Sequence, residues 1–333
     1  MRGESLSRYE ATGLLEALLD GEATDAQIAA TLIALKLKGE TVEELAGLAE
    51  GMRARSVRIN SRHGRFIDTA GTGSSCAKTF NVSTAAAFVI AGAGLPVAKH
   101  GNRAASSRCG SADVLAALGV NVSARPESSE KCLNEIGICF MFAPLYHGAT
   151  ARVAGIRRQL AVQTTFNLLG PLTNPADAPR QVIGVSDHRF VQPMARALVL
   201  LGTERAWVVH GADGLDEITI ADKTFVAEAR DGEVKMFEIE PEAFGAGRAA
   251  LDGLGGGDAE GNAAIISDVL SAARRDQARL LVVANAAAAL YVGGVAEDLR
   301  AAAELAEQSI DSGAAYRMLE QLIERTNAAK EQS

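Results

Sequence analysis

Short apolar segments alternate with helix-like segments after residue 65, and this alternation constrains the fold more than any other feature. The strand-like segments are "RFIDTAG", "LPVAKHG" and "ICFMFAP". The helix-like segments between them are "STAAAFVIAGAG", "SADVLAALG" and "SSEKCLNEIG". Strands that alternate with helices form parallel sheets covered on both faces. The sequence therefore predicts an α/β chain with a central, mainly parallel sheet flanked by helices.

The first sixty residues predict a small helical unit instead. Apolar residues recur at helical spacing in "GLLEALLDG", "TDAQIAATLIALKLKGE" and "TVEELAGLAEGMRARS". Thr41 begins the third segment and Glu44 stands three positions on, which is the spacing of a capping box. Two further helices are predicted in "GATARVAGIRRQLAVQTTFNLLGPLTNP", where the strand–helix rhythm is interrupted.

Strands are predicted again in "RQVIGVSD" and "RAWVVHGADG". The segment "EITIADKTFVAEARDGEVKMFEI" alternates like antiparallel strands, with Asp231-Gly232 as their turn. The remaining chain is helix-like, and Asp258 is the expected N-cap of its first helix. In "ARLLVVANAAAALYVGGVAE", small residues between Arg and Glu predict a buried helix rather than a membrane span.

Charge and cysteine usage exclude several classes of protein. The formal net charge of -8 counts against general nucleic-acid binding, which requires a basic face. The cysteines form no C-x-x-C pair, and structural zinc is not expected; they are Cys76, Cys109, Cys132 and Cys139. We expect free thiols in a reducing cytosol. The N-terminus shows no signal-peptide pattern, so the predicted location is cytoplasmic.

Three polar, glycine-rich loops follow predicted strands, where parallel sheets bind ligands. In the first, Gly71-Thr72-Gly73 precede Asn81, Ser83 and Thr84 at a helix N-terminus. Close backbone approach and free helix amides suit phosphate. The alternative is that Ser83 or Thr84 only caps the helix.

The second loop, "KHGNRAASSRCGS", carries cations beside hydroxyl groups and suits a polyanion. His100 in this loop has the alternative of being a packed imidazole. The third loop carries Asp213, Asp216 and Glu217, which suit magnesium with a bound phosphate. A simple turn at Asp213-Gly214 is the alternative.

Two adjacent arginines lie on a predicted helix away from these loops. Arg157 and Arg158 occur in "ATARVAGIRRQLA", and helix arginines are usually solvated. One of them turned inward would form a fork for a carboxylate substrate. The residues alone leave this question open.

The segments "KHGNRAASS", "GSADVLAALGV", "TFNLLGPLTNP" and "HGADGLDEIT", in this order, resemble the anthranilate phosphoribosyltransferase family over nearly the whole chain. Pyrimidine nucleoside phosphorylases share the architecture but differ in these loops. The resemblance implies a homodimer with a small helical domain (residues 1–64 and about 148–175) and a larger α/β domain (65–147 and 176–333). It implies Mg²⁺-dependent transfer of phosphoribosyl from 5-phosphoribosyl diphosphate to anthranilate, in tryptophan biosynthesis.

The resemblance also implies site residues. The phosphoribosyl-diphosphate site would comprise Gly71, Ser74, Ser75, Thr79, Asn81, Val82, Ser83, Thr84, Lys99, His100, Gly101, Asn102, Arg103, Ser106, Ser107 and Ser111. Anthranilate would contact Gly71, His100, Asn102, Arg157 and Pro171, and the metal would bind Ser83, Asp216 and Glu217. Arg157 fits the family position and Arg158 does not. Lys99 and His100 are the only catalytic candidates.

The sequence departs from the family in the first loop, where the family has Gly-Thr-Gly-Gly-Asp. Ser74 replaces the glycine at the fourth position, and Ser75 replaces the aspartate. The second change removes a negative charge next to the metal and diphosphate. Metal dependence and substrate affinity are the properties this change would alter. The altered loop motivates one alternative, a transferase of the same fold with another aromatic amine or nucleobase acceptor. A separate alternative, from a different class, is a non-catalytic relative that binds nucleic acid, against which the net charge of -8 counts.

Overall fold

The computed structural model describes residues 3–73, 79–104 and 109–328. Its N-terminal helices are α1 (Arg8–Leu19), α2 (Asp25–Lys38) and α3 (Val42–Ala54). Each begins with a capping box, formed by the pairs Ser7 and Glu10, Thr24 and Gln27, and Thr41 and Glu44. The reciprocal hydrogen bonds satisfy amides that the first helical turn leaves unpaired. The predicted helical unit and its capping box at Thr41 are confirmed.

A seven-stranded sheet follows, with strand order β3-β2-β1-β4-β5-β6-β7. Its strands are β1 (Ile67–Gly71), β2 (Val97–Gly101), β3 (Ile138–Phe142), β4 (Arg180–Gly184), β5 (Arg205–Gly211), β6 (Thr224–Arg230) and β7 (Glu233–Ile239). The first five are parallel, and β6 and β7 are antiparallel. The predicted fold class is confirmed.

The β6–β7 hairpin turns at the predicted dipeptide. Asp231 and Gly232 have φ angles of 52° and 81°, as a two-residue turn of the primed type requires. The prediction of a strand over residues 217–223 is wrong. The side chain of Asn285 accepts a hydrogen bond from Ile218 N (2.9 Å) and donates one to Ile218 O (2.9 Å). A distant side chain therefore replaces the strand pairing that the local pattern indicated.

The remaining helices cover the sheet. They are α4 (Val82–Gly92), α5 (Ser111–Ala117), α6 (Pro126–Ile136), α7 (Ala143–Tyr146), α8 (Ala151–Leu160), α9 (Phe166–Leu172), α10 (Val191–Leu200), α11 (Ala259–Leu270), α12 (Gln277–Val292), α13 (Leu299–Asp311) and α14 (Ala314–Ala328). Asp258 caps α11 by accepting a hydrogen bond from Gly261 N (2.9 Å), as predicted. The predicted buried helix is α12. No helix within the described ranges is both long and apolar enough to cross a membrane.

Two hydrophobic clusters lie on opposite faces of the sheet. Val182 and Trp207 face a cluster with α4 and α12, whereas their neighbours Ile183 and Val208 face the other cluster. This second cluster also contains the apolar sides of α1–α3, α8, α9 and α10. The N-terminal and inserted helices therefore pack together against one face of the sheet. The exact division of the chain into two domains stays a prediction.

The crossing of α1 and α3 depends on Gly47. A Cβ at this position would lie 2.1 Å from the carbonyl oxygen of Arg8. We expect Gly47→Ala to lower the free energy of unfolding by about 2 kcal/mol, because a main-chain atom has to move. Gly13→Ala in α1, where a Cβ meets nothing within 4 Å, should raise it by roughly 0.5–1 kcal/mol. Urea unfolding measures both, and equal stabilities of the two variants would contradict this packing.

Candidate active site

The predicted loops meet at one edge of the sheet, because the carboxyl ends of the parallel strands lie there. Gly71 ends β1 and Gly101 ends β2. Thr72 fastens the first loop to the end of β4: its N–H donates to Gly184 O (2.8 Å), and its hydroxyl accepts from Ser186 N (3.1 Å). The predicted residues Ser74, Ser75, Ser106 and Ser107 lie outside the described residues.

The first loop leads into the N-terminus of α4. Asn81 occupies the N-cap position and makes no capping hydrogen bond with its side chain. The alternative that Ser83 or Thr84 is the N-cap is wrong, because both lie in the first turn after Val82. The Asn81 side chain instead accepts from Asn262 Nδ2 (2.9 Å). Asn262 lies in the segment "GGGDAEGNA", and the sequence did not mark it as a site residue.

The glycines of that segment allow it to lie against the first loop. A Cβ at Gly256 would be 2.4 Å from Thr79 O, and Gly257 N donates to Asn262 Oδ1 (2.8 Å). Phe80 N donates to Leu254 O (3.1 Å). The segment therefore packs against Thr79 and Asn81, although it is about 180 residues away in the chain.

A buried lysine lies beneath the loops. Lys99 is only 4% exposed, and its Nζ donates to Thr69 O (2.5 Å) and is 3.4 Å from Ser83 Oγ. Burial lowers the pKa of Lys99, while the carboxyl groups of Asp68 and Glu217 oppose this change. Its charge therefore lies under the point where β1 ends and α4 begins.

The third loop brings two carboxyl groups to the same place. Glu217 accepts a hydrogen bond from Ser83 N (3.2 Å). Burial and, to a smaller extent, the neighbouring carboxyl of Asp216 raise the pKa of Glu217 to about 8, against the opposing effect of Lys99. A divalent cation between the two carboxylates would relieve this repulsion. Within the described parts of the chain, no three His, Cys, Asp or Glu side chains form a metal-binding group.

Asp213 shapes this loop from within. Its carboxylate accepts from Leu215 N (3.1 Å) and from the Thr219 hydroxyl (2.5 Å). This is the turn alternative considered for Asp213, whose carboxylate is used in bonds within its own loop. The loop packs tightly on β4, since a Cβ at Gly184 would lie 1.7 Å from Asp216 O. Gly184 is therefore required where the two segments cross.

The second loop is folded around Asp113, which the sequence did not mark. Its carboxylate accepts from Arg103 Nη1 (2.9 Å), Ala104 N (2.9 Å) and Gly110 N (3.0 Å). The position of Asp113, three residues after Gly110, is the spacing of a helix-capping acid and was a readable signal. Asn102 O accepts from Ser111 Oγ (3.3 Å). The loop thus brings Asn102, Arg103 and Ser111 together.

The inserted helix α8 supplies a guanidinium group, that of Arg157. Arg158 is exposed, whereas Arg157 is half-buried. Arg157 Nη2 donates to Asn167 Oδ1 (2.9 Å), and the guanidinium lies 5.5 Å from the centre of the Phe166 ring. Among residues 3–73, 79–104 and 109–328, no carboxylate lies within 4.0 Å of it. The group is therefore a half-buried cation that has only neutral partners.

Two buried histidines form a wall near α9. His100 is in hydrogen-bond contact with Gly170 O through Nδ1 (3.2 Å), next to the buried Pro171, and its ring lies 5.1 Å from that of His147. Burial lowers the pKa of His100 to about 3 and that of His147 to about 4. Both rings are therefore neutral at pH 7, which makes His100 a poor general base. No local sequence pattern pointed to His147.

The histidine nitrogens are incompletely satisfied. In the part of the chain described, neither His100 Nε2 nor either nitrogen of His147 has a hydrogen-bond partner. The main chain of Thr173 approaches His147 and raises its pKa slightly, but the geometry falls short of a hydrogen bond. Buried polar atoms of this kind are suited to a polar or aromatic ligand.

A buried acid connects this wall to the sheet. Asn174 Nδ2 donates to Asp68 Oδ2 (2.7 Å) and to Ala98 O (2.8 Å). Asp68 Oδ1 accepts from His100 N (3.2 Å). Burial raises the pKa of Asp68 to about 6, although Lys99 and these hydrogen bonds act in the opposite direction. The segment after α9 is thereby fixed to β1 and β2.

Family models match the chain in two spans. The helical bundle domain of a glycosyl transferase family matches residues 1–56, and the α/β domain matches residues 63–316. The chain is 50% identical to an anthranilate phosphoribosyltransferase of Moorella thermoacetica, over 96% of this chain and 94% of that protein. It is 51% identical to one of Desulfosudis oleivorans, over 98% of this chain and 96% of that protein.

Solved structures agree with these matches. The anthranilate phosphoribosyltransferase of Thermus thermophilus has a TM-score of 0.92 and 40% identity, covering 98% of this chain and 97% of its own. The enzyme of Saccharomyces cerevisiae, described in complex with PRPP and Mg, has a TM-score of 0.88 and 27% identity, covering 97% of this chain and 94% of its own.

The buried His147 should make stability depend on pH. The unfolded chain takes up a proton near the ordinary pKa of 6.5, whereas the folded chain takes it up only near 4, so stability falls as the pH falls between these values. The contribution is at most about 1.4 kcal/mol per pH unit. We expect His147→Gln to reduce this slope, measured by urea unfolding at several pH values. Parallel curves for the variant and the wild type would contradict the assignment.

Proposed function

Because the chain belongs to the anthranilate phosphoribosyltransferase family, we propose that the site described above carries that family's reaction. The enzyme transfers the phosphoribosyl group from 5-phosphoribosyl diphosphate to anthranilate, in tryptophan biosynthesis. The products are N-(5-phosphoribosyl)anthranilate and diphosphate. The observation that carries the residue assignment is the half-buried guanidinium of Arg157, which lacks a carboxylate partner in the described ranges. Nothing observed favours another acceptor or a nucleic acid.

The phosphoribosyl diphosphate would bind at the loops that end β1 and β2. Close backbone approach at Gly71 and Gly101 and the N-terminus of α4 favour an anion there. The described residues assigned to it are Gly71, Thr79, Asn81, Val82, Ser83, Thr84, Lys99, His100, Gly101, Asn102, Arg103 and Ser111. The assignment of Ser74, Ser75, Ser106 and Ser107 rests on the family resemblance alone.

Magnesium would be held by Ser83, Asp216 and Glu217 together with diphosphate oxygens. The hydrogen bond from Ser83 N to Glu217 Oε1 (3.2 Å) brings these elements together, and the carboxyl of Asp216 raises the pKa of the buried Glu217, a repulsion that a divalent cation would relieve. The yeast relative described with PRPP and Mg supports the same metal here. Magnesium often uses only one or two carboxylates plus substrate phosphates. When bound, it would stabilise negative charge on the leaving diphosphate.

Anthranilate would lie between the second loop and the inserted helices. Its carboxylate would pair with Arg157. Its ring would lie against His100 and Pro171, near Gly71 and Asn102. We add His147 to this wall, because its ring contacts that of His100 and its nitrogens have no good partner among the described residues.

The chemistry requires little acid–base help from the protein. The amine of anthranilate is neutral at pH 7 and has an available lone pair. Departure of diphosphate leaves positive charge on the ribose, so an oxocarbenium-like transition state is expected. This chain's residues would place the amine near C1 and oppose the charge on diphosphate through Lys99 and the loop amides. Neutral His100 and His147 would exclude water from the acceptor side.

The assembly and location remain proposals. A homodimer is supported by exposed apolar residues on the helical unit: Tyr9 is 88% exposed, Leu37 80% and Val162 43%. They lie on or directly after α1, α2 and α8, and both α1 and α2 contact α8. The small domain would comprise residues 1–64 and 148–175. The buried thiols of Cys132 and Cys139, which are not in disulfides, favour a reducing compartment such as the cytoplasm.

Arg157→Gln tests the acceptor site. We expect it to raise the KM for anthranilate by about 10-fold to 100-fold, because a charge-assisted hydrogen bond is lost, with little change in the KM for 5-phosphoribosyl diphosphate. The measurement is the loss of anthranilate fluorescence with 5-phosphoribosyl diphosphate and Mg²⁺. Arg158→Gln, on the exposed side of the same helix, is the matched control and should behave as the wild type. Equal effects of the two variants would remove Arg157 from the site.

Leu37→Asp tests the dimer. A charge in a buried apolar interface should dissociate the dimer. The mass measured by light scattering at low micromolar concentration should then halve. Leu37 is on the solvent side of α2, so the helical unit itself should stay folded, as far-ultraviolet circular dichroism reports. Val295→Asp, at another exposed apolar position (37%) outside the helical unit, is the control. A variant that keeps the wild-type mass would exclude this face as the interface.

A further inference from the structure

The partner of Arg157 differs in charge from the partners of other buried arginines. Arg205, with 11% of its side chain exposed, pairs with Glu228 at 2.7 Å. Arg279, with 8% exposed, pairs with Asp311 at 2.8 Å. A carboxylate is the usual partner, because a buried cation with no counter-charge is costly. Arg157 has an amide, Asn167, in the place where these arginines have an acid.

The orientation of the Asn167 amide is fixed. Its Oδ1 accepts from Thr164 N (3.1 Å) as well as from Arg157 Nη2 (2.9 Å). Asn167 N in turn donates to Thr164 O (2.9 Å) at the start of α9. Because Oδ1 receives two N–H groups, the oxygen and not the NH₂ of the amide faces the guanidinium. The Phe166 ring, 5.5 Å away, limits the guanidinium from another side.

We propose that Asn167 is a positioning residue that orients Arg157 with a neutral acceptor and so leaves its positive charge available for the carboxylate of the acceptor substrate. The inference rests on the proposed role of Arg157. An aspartate would make the same two hydrogen bonds with almost the same shape. It would also neutralise the guanidinium before the substrate arrives, and the substrate carboxylate would then meet a second negative charge. The neutral side chain is therefore the feature that selects for an anionic acceptor.

Asn167→Asp separates positioning from a merely structural role. We expect the variant to unfold at the same urea concentration as the wild type or a higher one, since both hydrogen bonds are kept and an ion pair is added. The KM for anthranilate should rise by about 10-fold or more, while the KM for 5-phosphoribosyl diphosphate stays within about 2-fold. The inhibition constant of 2-aminobenzamide, which lacks the negative charge, should change less than the KM for anthranilate.

Two further variants complete the test. Gln163→Glu adds the same charge at an exposed position on the same connection and should keep wild-type constants. Asn167→Ala should raise the KM for anthranilate and also lower stability, because Thr164 N loses its partner. A wild-type KM for anthranilate in Asn167→Asp would overturn the inference, as would an equal change for 2-aminobenzamide. If Arg157→Gln also has a wild-type KM, the proposed acceptor site itself fails; if Arg157→Gln raises it, only the role of Asn167 fails.

Discussion

The hydrogen bond between the buried carboxyl of Asp68 and the side-chain amide of Asn174 joins the two sides of the site. Asp68 lies on β1 and also holds the backbone of His100 on β2, while Asn174 follows the inserted helices and also binds Ala98 O. Each of these polar groups is buried, so breaking one bond leaves an unsatisfied partner in a medium of low polarity. The segment after α9 and strands β1 and β2 consequently have one defined relative position.

Electrostatics divide the same site into an acidic half and a basic half. On the sheet side, the carboxyl groups of Asp216 and Glu217 lie together, and burial raises the pKa of Glu217 to about 8. On the helical side, Arg157 has a charge without a carboxylate partner in the described chain. Under the proposed function, a cation with its phosphate ligand would bind at the first half and an organic anion at the second.

The sequence predicted what depends on short-range order. Strand–helix alternation indicated the mainly parallel sheet, and Asp231-Gly232 indicated the hairpin. Predictions failed where a distant residue decides the local structure: Asn285 replaces strand pairing at Ile218. Likewise Asn262, and not a local cap, holds Asn81. His147 was missed because its importance comes from lying against His100, which a linear pattern does not encode. Asp113 was readable from its spacing to Gly110, but only as a cap.

The acceptor side also depends on the first helices of the chain. Lys36 Nζ donates to Gln163 O (2.9 Å), Thr165 Oγ1 donates to Glu40 Oε1 (2.5 Å), and Arg53 Nε donates to Leu172 O (2.8 Å). These bonds hold both ends of the segment that presents Asn167 and Gly170. A helix packed elsewhere on the sheet would carry this segment away from β2, however well its own sequence were formed. The position of the guanidinium relative to the phosphate loops is thus set jointly by α2, α3 and the residues between them, which hold both ends of the segment, and by Asn174 after α9.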